Sequence, residues 1–214
     1  MTSALDDKEL AAYRRDGFVI KKGLFDAEEV SLITEALETD PNINKNFFSR
    51  TDLEGGSTQL VSWNYPGDGT FGLVARCERM VDTLEALLGG EVYHYHSKLS
   101  AKLPGGGGSW EWHQDYGYWY YDGCLRPLMA SVMVAIDEAT QENGCLKFLK
   151  GSHEAGRLDH VLTDGDQMCV EPERQAQIEE IYEIAHAELA PGDAAFFHCN
   201  VLHRSDQNRS DKRR

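Results

Sequence analysis

The chain is short of cysteine, of basic residues and of long apolar runs, and each shortage removes a class of answer. Its five cysteines (Cys77, Cys124, Cys145, Cys169 and Cys199) are odd in number, far apart and never in a C-x-x-C pair. Neither a disulfide framework nor a zinc knuckle is indicated, and reduced thiols are expected. Lys and Arg total 21 against 36 Asp and Glu, a formal charge of -15. Nucleic acid and anionic membrane surfaces depend on basic contacts, so neither is an expected partner. No apolar run approaches a membrane span. The start, MTSALDDKEL, is acidic and polar, with no basic n-region or apolar h-region. No signal peptide is read there, and a cytoplasmic location is expected. The glycine run at 105–108 precedes neither Lys-Ser/Thr nor a helix, so it reads as a turn and not a phosphate loop. There is no internal repeat and no dividing linker.

What is present suits one globular domain over residues 1–214, large enough to bury a core without staples. Ser3 to Tyr13 reads as a short helix and 17–20 as a strand. Asp26 is a good N-cap for a helix through Glu38, with Val30, Ile33, Ala36 and Leu37 at helical spacing. Residues 41–69 are polar and aperiodic, a long loop with one strand near 59–63. A second amphipathic helix spans 71–88 and stops at Gly89-Gly90. From Glu91 the character changes to short strands at 93–102, 110–115, 129–136, 145–149, 183–189 and 194–199, with a helical insertion at 172–182. Asn143-Gly144 reads as a hairpin turn and Pro191-Gly192-Asp193 as a tight turn. The expected fold is therefore mainly β with flanking helices. Helical support occupies 1–90, and an antiparallel sandwich or barrel of the jelly-roll kind occupies 91–214.

The chemistry concentrates in WEWHQDYGYWYY, residues 110–121. On a strand, His113 and Asp115 project to one side and Gln114 to the other. An imidazole and a carboxylate so placed are two thirds of a 2-His-1-carboxylate site, which holds non-haem Fe(II) and leaves positions open. H-x-D alone is a weak signal. The third ligand candidate is His203, just past the apolar strand 194–199, where a jelly roll returns distant strands to one another. The pattern continues as H-x-S-x-x-N-x-S, with Arg214 eleven positions after the histidine. An Arg fork and a hydroxyl suit the far carboxylate of a dicarboxylate co-substrate.

His94 and His96 share a strand face without an accompanying carboxylate and read as packing or pocket lining. His153 reads as a loop residue, and His160, His186 and His198 carry no pattern. Tyr116, Tyr118 and Trp119 directly follow the metal strand and are candidate substrate contacts. With Tyr120 and Tyr121 they could equally anchor the sheet, or form a cage for a quaternary ammonium.

H-Q-D at 113–115, the Glu142 to His153 segment E-N-G-C-L-x-x-x-x-G-S-H, P-G-D at 191–193 and the H-x-S-x-x-N-x-S...R tail together resemble the phytanoyl-CoA dioxygenase family. Asp16-Gly17-Phe18 is also similar to that family's first strand. The resemblance implies a double-stranded β-helix (cupin-like jelly roll) and an Fe(II)/2-oxoglutarate-dependent dioxygenase. Such an enzyme hydroxylates a C–H bond with O2 while converting 2-oxoglutarate to succinate and CO2. It implies His113, Asp115 and His203 as iron ligands, and Ser205 and Arg214 as holders of the 2-oxoglutarate carboxylate. Lys102 is a further candidate for the same co-substrate. The family pattern carries another core strand after the arginine, so the core is expected to be truncated at its C-terminal edge. Asp115 argues against a halogenase, where a small residue vacates that position. The absence of a CoA-phosphate pattern favours a small metabolite as substrate. Two other readings stand beside this one: a non-catalytic jelly-roll binding module, and a cupin-type metalloenzyme that does not use 2-oxoglutarate.

Overall fold

A computed structural model describes residues 5–163 and 167–214. Its strands, in chain order, are β1 (Phe18–Lys21), β2 (Phe48–Thr51), β3 (Ser57–Trp63), β4 (Ser97–Lys102), β5 (Trp110–His113) and β6 (Ala130–Val134). They continue with β7 (Leu146–Leu149), β8 (His160–Leu162), β9 (Met168–Val170), β10 (Ile184–Ala187), β11 (Ala194–His198) and β12 (His203–Ser205). The helices are α1 (Asp7–Asp16), α2 (Ala27–Thr39), α3 (Pro41–Asn44), α4 (Thr70–Arg76), α5 (Glu78–Leu88), α6 (Asp115–Trp119) and α7 (Pro172–Ile181).

Two sheets form the jelly-roll sandwich, one in the order β1-β11-β6 and the other β10-β7-β12-β5. The run AAFF in β11 explains their stacking. Alternation sends Ala195 and Phe197 to one face and Ala194 and Phe196 to the other, and all four are buried. The first pair meets the second sheet, where Phe148 is fully buried, stacked on Phe18 at 4.4 Å and tilted against Phe197 at 5.2 Å. The second pair meets the helical layer, packing with Tyr13, Phe25, Ile33 and Met80. A strand apolar on both faces is what a central strand with two covers requires. Smaller sheets, β2-β3-β4 and β8-β9, flank the sandwich. No helix of the described residues is long and apolar enough to cross a membrane.

Several expectations shift. The first helix begins at Asp7, because Asp6 and Glu9 form a reciprocal capping box there; the expected start at Ser3 lies outside the described residues. The loop over 41–69 contains α3 and the hairpin β2-β3. Its polarity misled because β2 is exposed throughout, so no alternation marks it. Its turn is made by the buried Asp52 carboxylate, which accepts from the amides of Glu54, Gly56 and Ser109. The helix expected over 71–88 breaks at Cys77 into α4 and α5. Asn143-Gly144 is a turn but not a hairpin, since β6 and β7 belong to different sheets.

Candidate metal and co-substrate site

The second sheet brings the distant parts of the sequence together. β12 pairs antiparallel with β5, placing His203 opposite His113. Asp115 is not on the strand, as alternation had suggested. β5 ends at His113 and the chain turns into α6, with Asp115 in its first turn. The turn is fixed by Tyr116, whose amide donates to the Cys199 carbonyl at 3.0 Å, and by the buried Gln114. The Gln114 amide donates to the carbonyls of Gly156 and Asn200, each at 2.7 Å, and accepts from Leu158 N–H at 2.7 Å. Gln114 is therefore turned away from its neighbours, and it clamps two loops beneath the site. Gly117 completes the turn. A Cβ there would lie 2.2 Å from the His160 ring, which itself accepts from Gln114 N–H at 2.9 Å.

His113 Nε2, His203 Nε2 and an Asp115 oxygen lie within 4.8 Å of one another. Asp115 Oδ1 is 3.8 Å from the first and 3.6 Å from the second. His113 Nδ1 faces the Glu111 carbonyl at 2.7 Å, and His203 Nδ1 the Val201 carbonyl at 3.1 Å. A carbonyl can only accept, so each Nδ1 carries the proton and each Nε2 presents a lone pair inward. Burial holds both imidazoles below their ordinary pKa, and His203 pushes His113 down further. Burial also pushes the Asp115 carboxyl up, but the two imidazoles, Lys98 and a hydrogen bond from Ser131 outweigh it and hold it below the carboxylate range. Two neutral imidazoles and one carboxylate in a buried corner fit a divalent cation of the borderline type, on one side of which further positions stay open.

A second cluster lies beside it. The Lys102 side chain is fully buried, with Nζ donating to Ser205 Oγ at 2.8 Å and to the Asp206 carbonyl. Arg214 pairs with Lys102 through the backbone, N–H to O at 3.1 Å and O to N–H at 2.7 Å. Its Nε is sealed from solvent without a partner, and one terminal nitrogen meets only the Met133 sulfur, at 3.5 Å. Burial drives Lys102 down to about 6, aided by Arg214, and Arg214 down to about 10. The Asp206 carboxylate is engaged elsewhere, by Lys147 and Arg204. Among the described residues neither cation has an ion pair. Charging both side chains so close together is costly without an anion between them.

The tail motif builds this pocket. Asn208 Nδ2 donates to the carbonyls of Lys102 at 3.0 Å and Lys212 at 2.7 Å, while its Oδ1 accepts from Ser210. The Asn and second Ser of H-x-S-x-x-N-x-S thus fold the tail so that Arg214 reaches Lys102.

The aromatic run is helical, and it divides. Tyr116 is buried and stacks edge-on with Tyr120, four positions on. Tyr118 sets its ring against His113 at 5.6 Å, with its hydroxyl donating to the Met168 carbonyl at 2.8 Å. Trp119 meets Tyr95 at 5.1 Å and His96 at 5.4 Å. Burial lowers His96, and Asp115 acts on it in the opposite sense, so it borders the site. His94 is tied to Ser97 Oγ at 2.7 Å, and His153 to the Arg14 carbonyl at 3.2 Å, as structural residues would be. Sequence reasoning missed Ser131, hidden in an apolar strand, and Lys98, whose ammonium lies 5.2 Å over the Trp110 ring and acts on all three triad members.

A jelly-roll sandwich with a buried 2-His-1-carboxylate corner defines a non-haem metalloprotein of the oxygenase type. The phytanoyl-CoA dioxygenase family model matches residues 13–214, and the chain belongs to that family. It is 26% identical over 219 residues to an L-proline trans-4-hydroxylase of Streptomyces griseoviridis, covering 94% of this chain and 81% of that one. It is 27% identical over 215 residues to an ectoine dioxygenase of Sphingopyxis alaskensis, covering 94% and 70%. The solved structure of S. alaskensis EctD with 2-oxoglutarate and 5-hydroxyectoine superposes with a TM-score of 0.82 at 25% identity, covering 99% of this chain and 74% of that chain.

Proposed function

We propose that His113, Asp115 and His203 hold one Fe(II), that Lys102, Ser205 and Arg214 hold the far carboxylate of 2-oxoglutarate, and that the substrate is a small carboxylate-bearing metabolite. The protein is an Fe(II)/2-oxoglutarate-dependent hydroxylase. Iron with 2-oxoglutarate supplies O2 activation, yielding succinate and CO2 as oxygen enters a substrate C–H bond. The chain's own part is to bind, orient and exclude water. The single observation that carries the reading is on β12: His203 and Ser205 are two apart on one strand, one in an anionic metal corner and the other in an uncompensated cationic pocket. Two strand residues span about 7 Å, a reach suited to a five-carbon diacid chelating at one end and ion-paired at the other. Neither a binding module nor a cupin without 2-oxoglutarate gives the buried Lys102–Arg214 pair a purpose.

On the substrate side, Trp119, Tyr95 and His96 supply an aromatic wall, and Tyr118 steadies His113. Tyr116 supports the wall through Tyr120. The exposed Lys98 on β4 supplies a positive charge beside the triad. That suits an amino acid or a compact zwitterion derived from one, in keeping with relatives named for proline and ectoine. Anaerobic titration of Fe(II) and then 2-oxoglutarate tests the core of the reading. A weak visible charge-transfer band that needs both is expected, and its absence would overturn the assignment. Screening amino-acid-like metabolites for succinate release then identifies the substrate.

A further inference from the structure

The two oxygens of Asp115 have different surroundings. Oδ1 faces both imidazoles, at 3.8 and 3.6 Å. Oδ2 accepts a hydrogen bond from Ser131 Oγ at 2.5 Å, the short end of the range for a hydroxyl on a carboxylate. Ser131 comes from β6, in the opposite sheet, and its backbone is held there by antiparallel pairing with Phe197. The hydroxyl therefore reaches across the sandwich from a fixed strand. No other part of the site uses it.

A carboxylate beside a metal can offer one oxygen or two. If Asp115 offered both it would fill two positions, leaving too few for a chelating co-substrate and O2 together. We propose that Ser131 is the positioning residue that restricts Asp115 to one ligating oxygen, by holding Oδ2 away from the metal. Two further features of the geometry agree with this. Ser131, Met133 and Ala135 alternate on the inward face of one stretch; Met133 contacts Arg214 and Ala135 is in the core. The serine is thus on the only face from which it can serve the site. Finally, Asp115 is at the start of a five-residue helix, a short element that by itself does little to fix a rotamer.

The inference rests on the triad being the metal centre, and the test separates the two. Co(II), a spectroscopic stand-in for Fe(II), is titrated into the wild-type protein and into Ser131→Ala, Ser131→Cys and Ser131→Thr. Ligand-supporting hydrogen bonds are typically worth 10- to 100-fold in metal affinity. Ser131→Ala and Ser131→Cys are expected to bind Co(II) roughly 10-fold or more weakly, with displaced d–d bands, because the set of ligating oxygens changes. Ser131→Thr, which keeps the hydroxyl, is expected to restore both affinity and band positions. A purely structural role would lower the melting temperature without moving the bands. Wild-type affinity and spectrum in the Ala or Cys variant would overturn the proposal while leaving the metal centre intact. Failure of the wild type to bind Co(II) would overturn the centre itself. Should Ser131→Ala not fold, the near-isosteric Cys variant decides.

Discussion

The metal corner and the cationic pocket are neighbours on β12, but they are built on opposite electrical plans. In the corner one ionised carboxylate faces two imidazoles kept neutral by burial, and the Ser131 hydroxyl donates to it. In the pocket no carboxylate pairs with either side chain among the described residues, and Lys102 donates only to neutral oxygens. Lys102 and Arg214 are buried side by side, with an arginine nitrogen unpartnered. The corner is stable enough to wait for a cation, since a buried carboxylate with a donor and two polar neighbours is tolerated. The pocket stores a cost that an anion removes on arrival. This difference fits the proposed roles, the corner holding the metal through its ligand geometry and the pocket holding the co-substrate through its charge.

The largest break in this comparison comes from Asp115→Ala, which removes the carboxylate of the corner. Hydroxylation is expected to vanish, and Fe(II) affinity to fall by roughly 100-fold or more, beyond the effect of losing a supporting partner. Equilibrium dialysis against Fe(II) or Co(II) reads this directly, and retained affinity would refute the ligand set. The cationic pocket should survive untouched.

Arg214→Leu is the converse experiment. Truncating one partner of a buried charge pair costs about 2 kcal/mol or more, so KM for 2-oxoglutarate should rise roughly 30-fold or more with metal affinity unchanged. The protein without co-substrate should melt no lower than wild type, because the variant removes a cation that has no partner. If Arg214→Leu destabilised the empty protein strongly, the arginine would have a structural counter-charge and the contrast between the two clusters would fail.

Acidity sharpens the comparison further. Lys102 has its folded pKa lowered from 10.5 to about 6, so between those values the unfolded chain binds more protons than the folded one. Stability contributed by this group therefore rises with pH across that window, and the full cost of charging it is felt only below about pH 6. Binding a dicarboxylate favours the ammonium and reverses the shift. At pH 8 the binding of 2-oxoglutarate should take up close to one proton, and Lys102→Met should abolish the uptake. Calorimetry in buffers of different ionisation heat measures it. Equal heats in all buffers would mean that Lys102 is already charged in the empty pocket.

How much of this could be read from the chain varied with how local the cause was. His113, Asp115 and His203 were legible because their spacing survives any detail of backbone path, even though Asp115 proved to be helical. That Lys102, Ser205 and Arg214 come together was legible only with the tail pattern, whose Asn208 fixes the fold of the tail. The motif residues at 191–193 proved to be joints. Gly192 has φ 88° and passes so close to the Phe25 carbonyl that a Cβ would sit 2.2 Å from it, while Asp193 gathers Gly23, Ala190 and Lys22. What stayed hidden depends on contacts between sheets. Ser131 looks like one polar residue in MASVMVAI, and only the packing of β6 over α6 gives it a partner. The β2-β3 hairpin was hidden because its turn is set by Asp52 reaching Ser109, 57 residues away.

The smallest expected effect concerns Tyr118, whose ring borders the corner while its hydroxyl leaves it. The hydroxyl is already committed to the Met168 carbonyl at 2.8 Å, and burial raises its pKa, so it stays protonated and donates. Removing it in Tyr118→Phe forfeits one neutral hydrogen bond, worth about 1 kcal/mol, and leaves the carbonyl of β9 short of one donor. The edge-on contact with His113 does not involve the hydroxyl and persists. Metal affinity and substrate KM should therefore be unchanged within about twofold, against a fall of a few degrees in melting temperature. Trp119→Phe, on the wall facing His96, should instead raise substrate KM at unchanged stability. If Tyr118→Phe raised KM and Trp119→Phe did not, the two faces of α6 would exchange roles: the substrate would lie on the Met168 side of His113, and the aromatic wall would be packing.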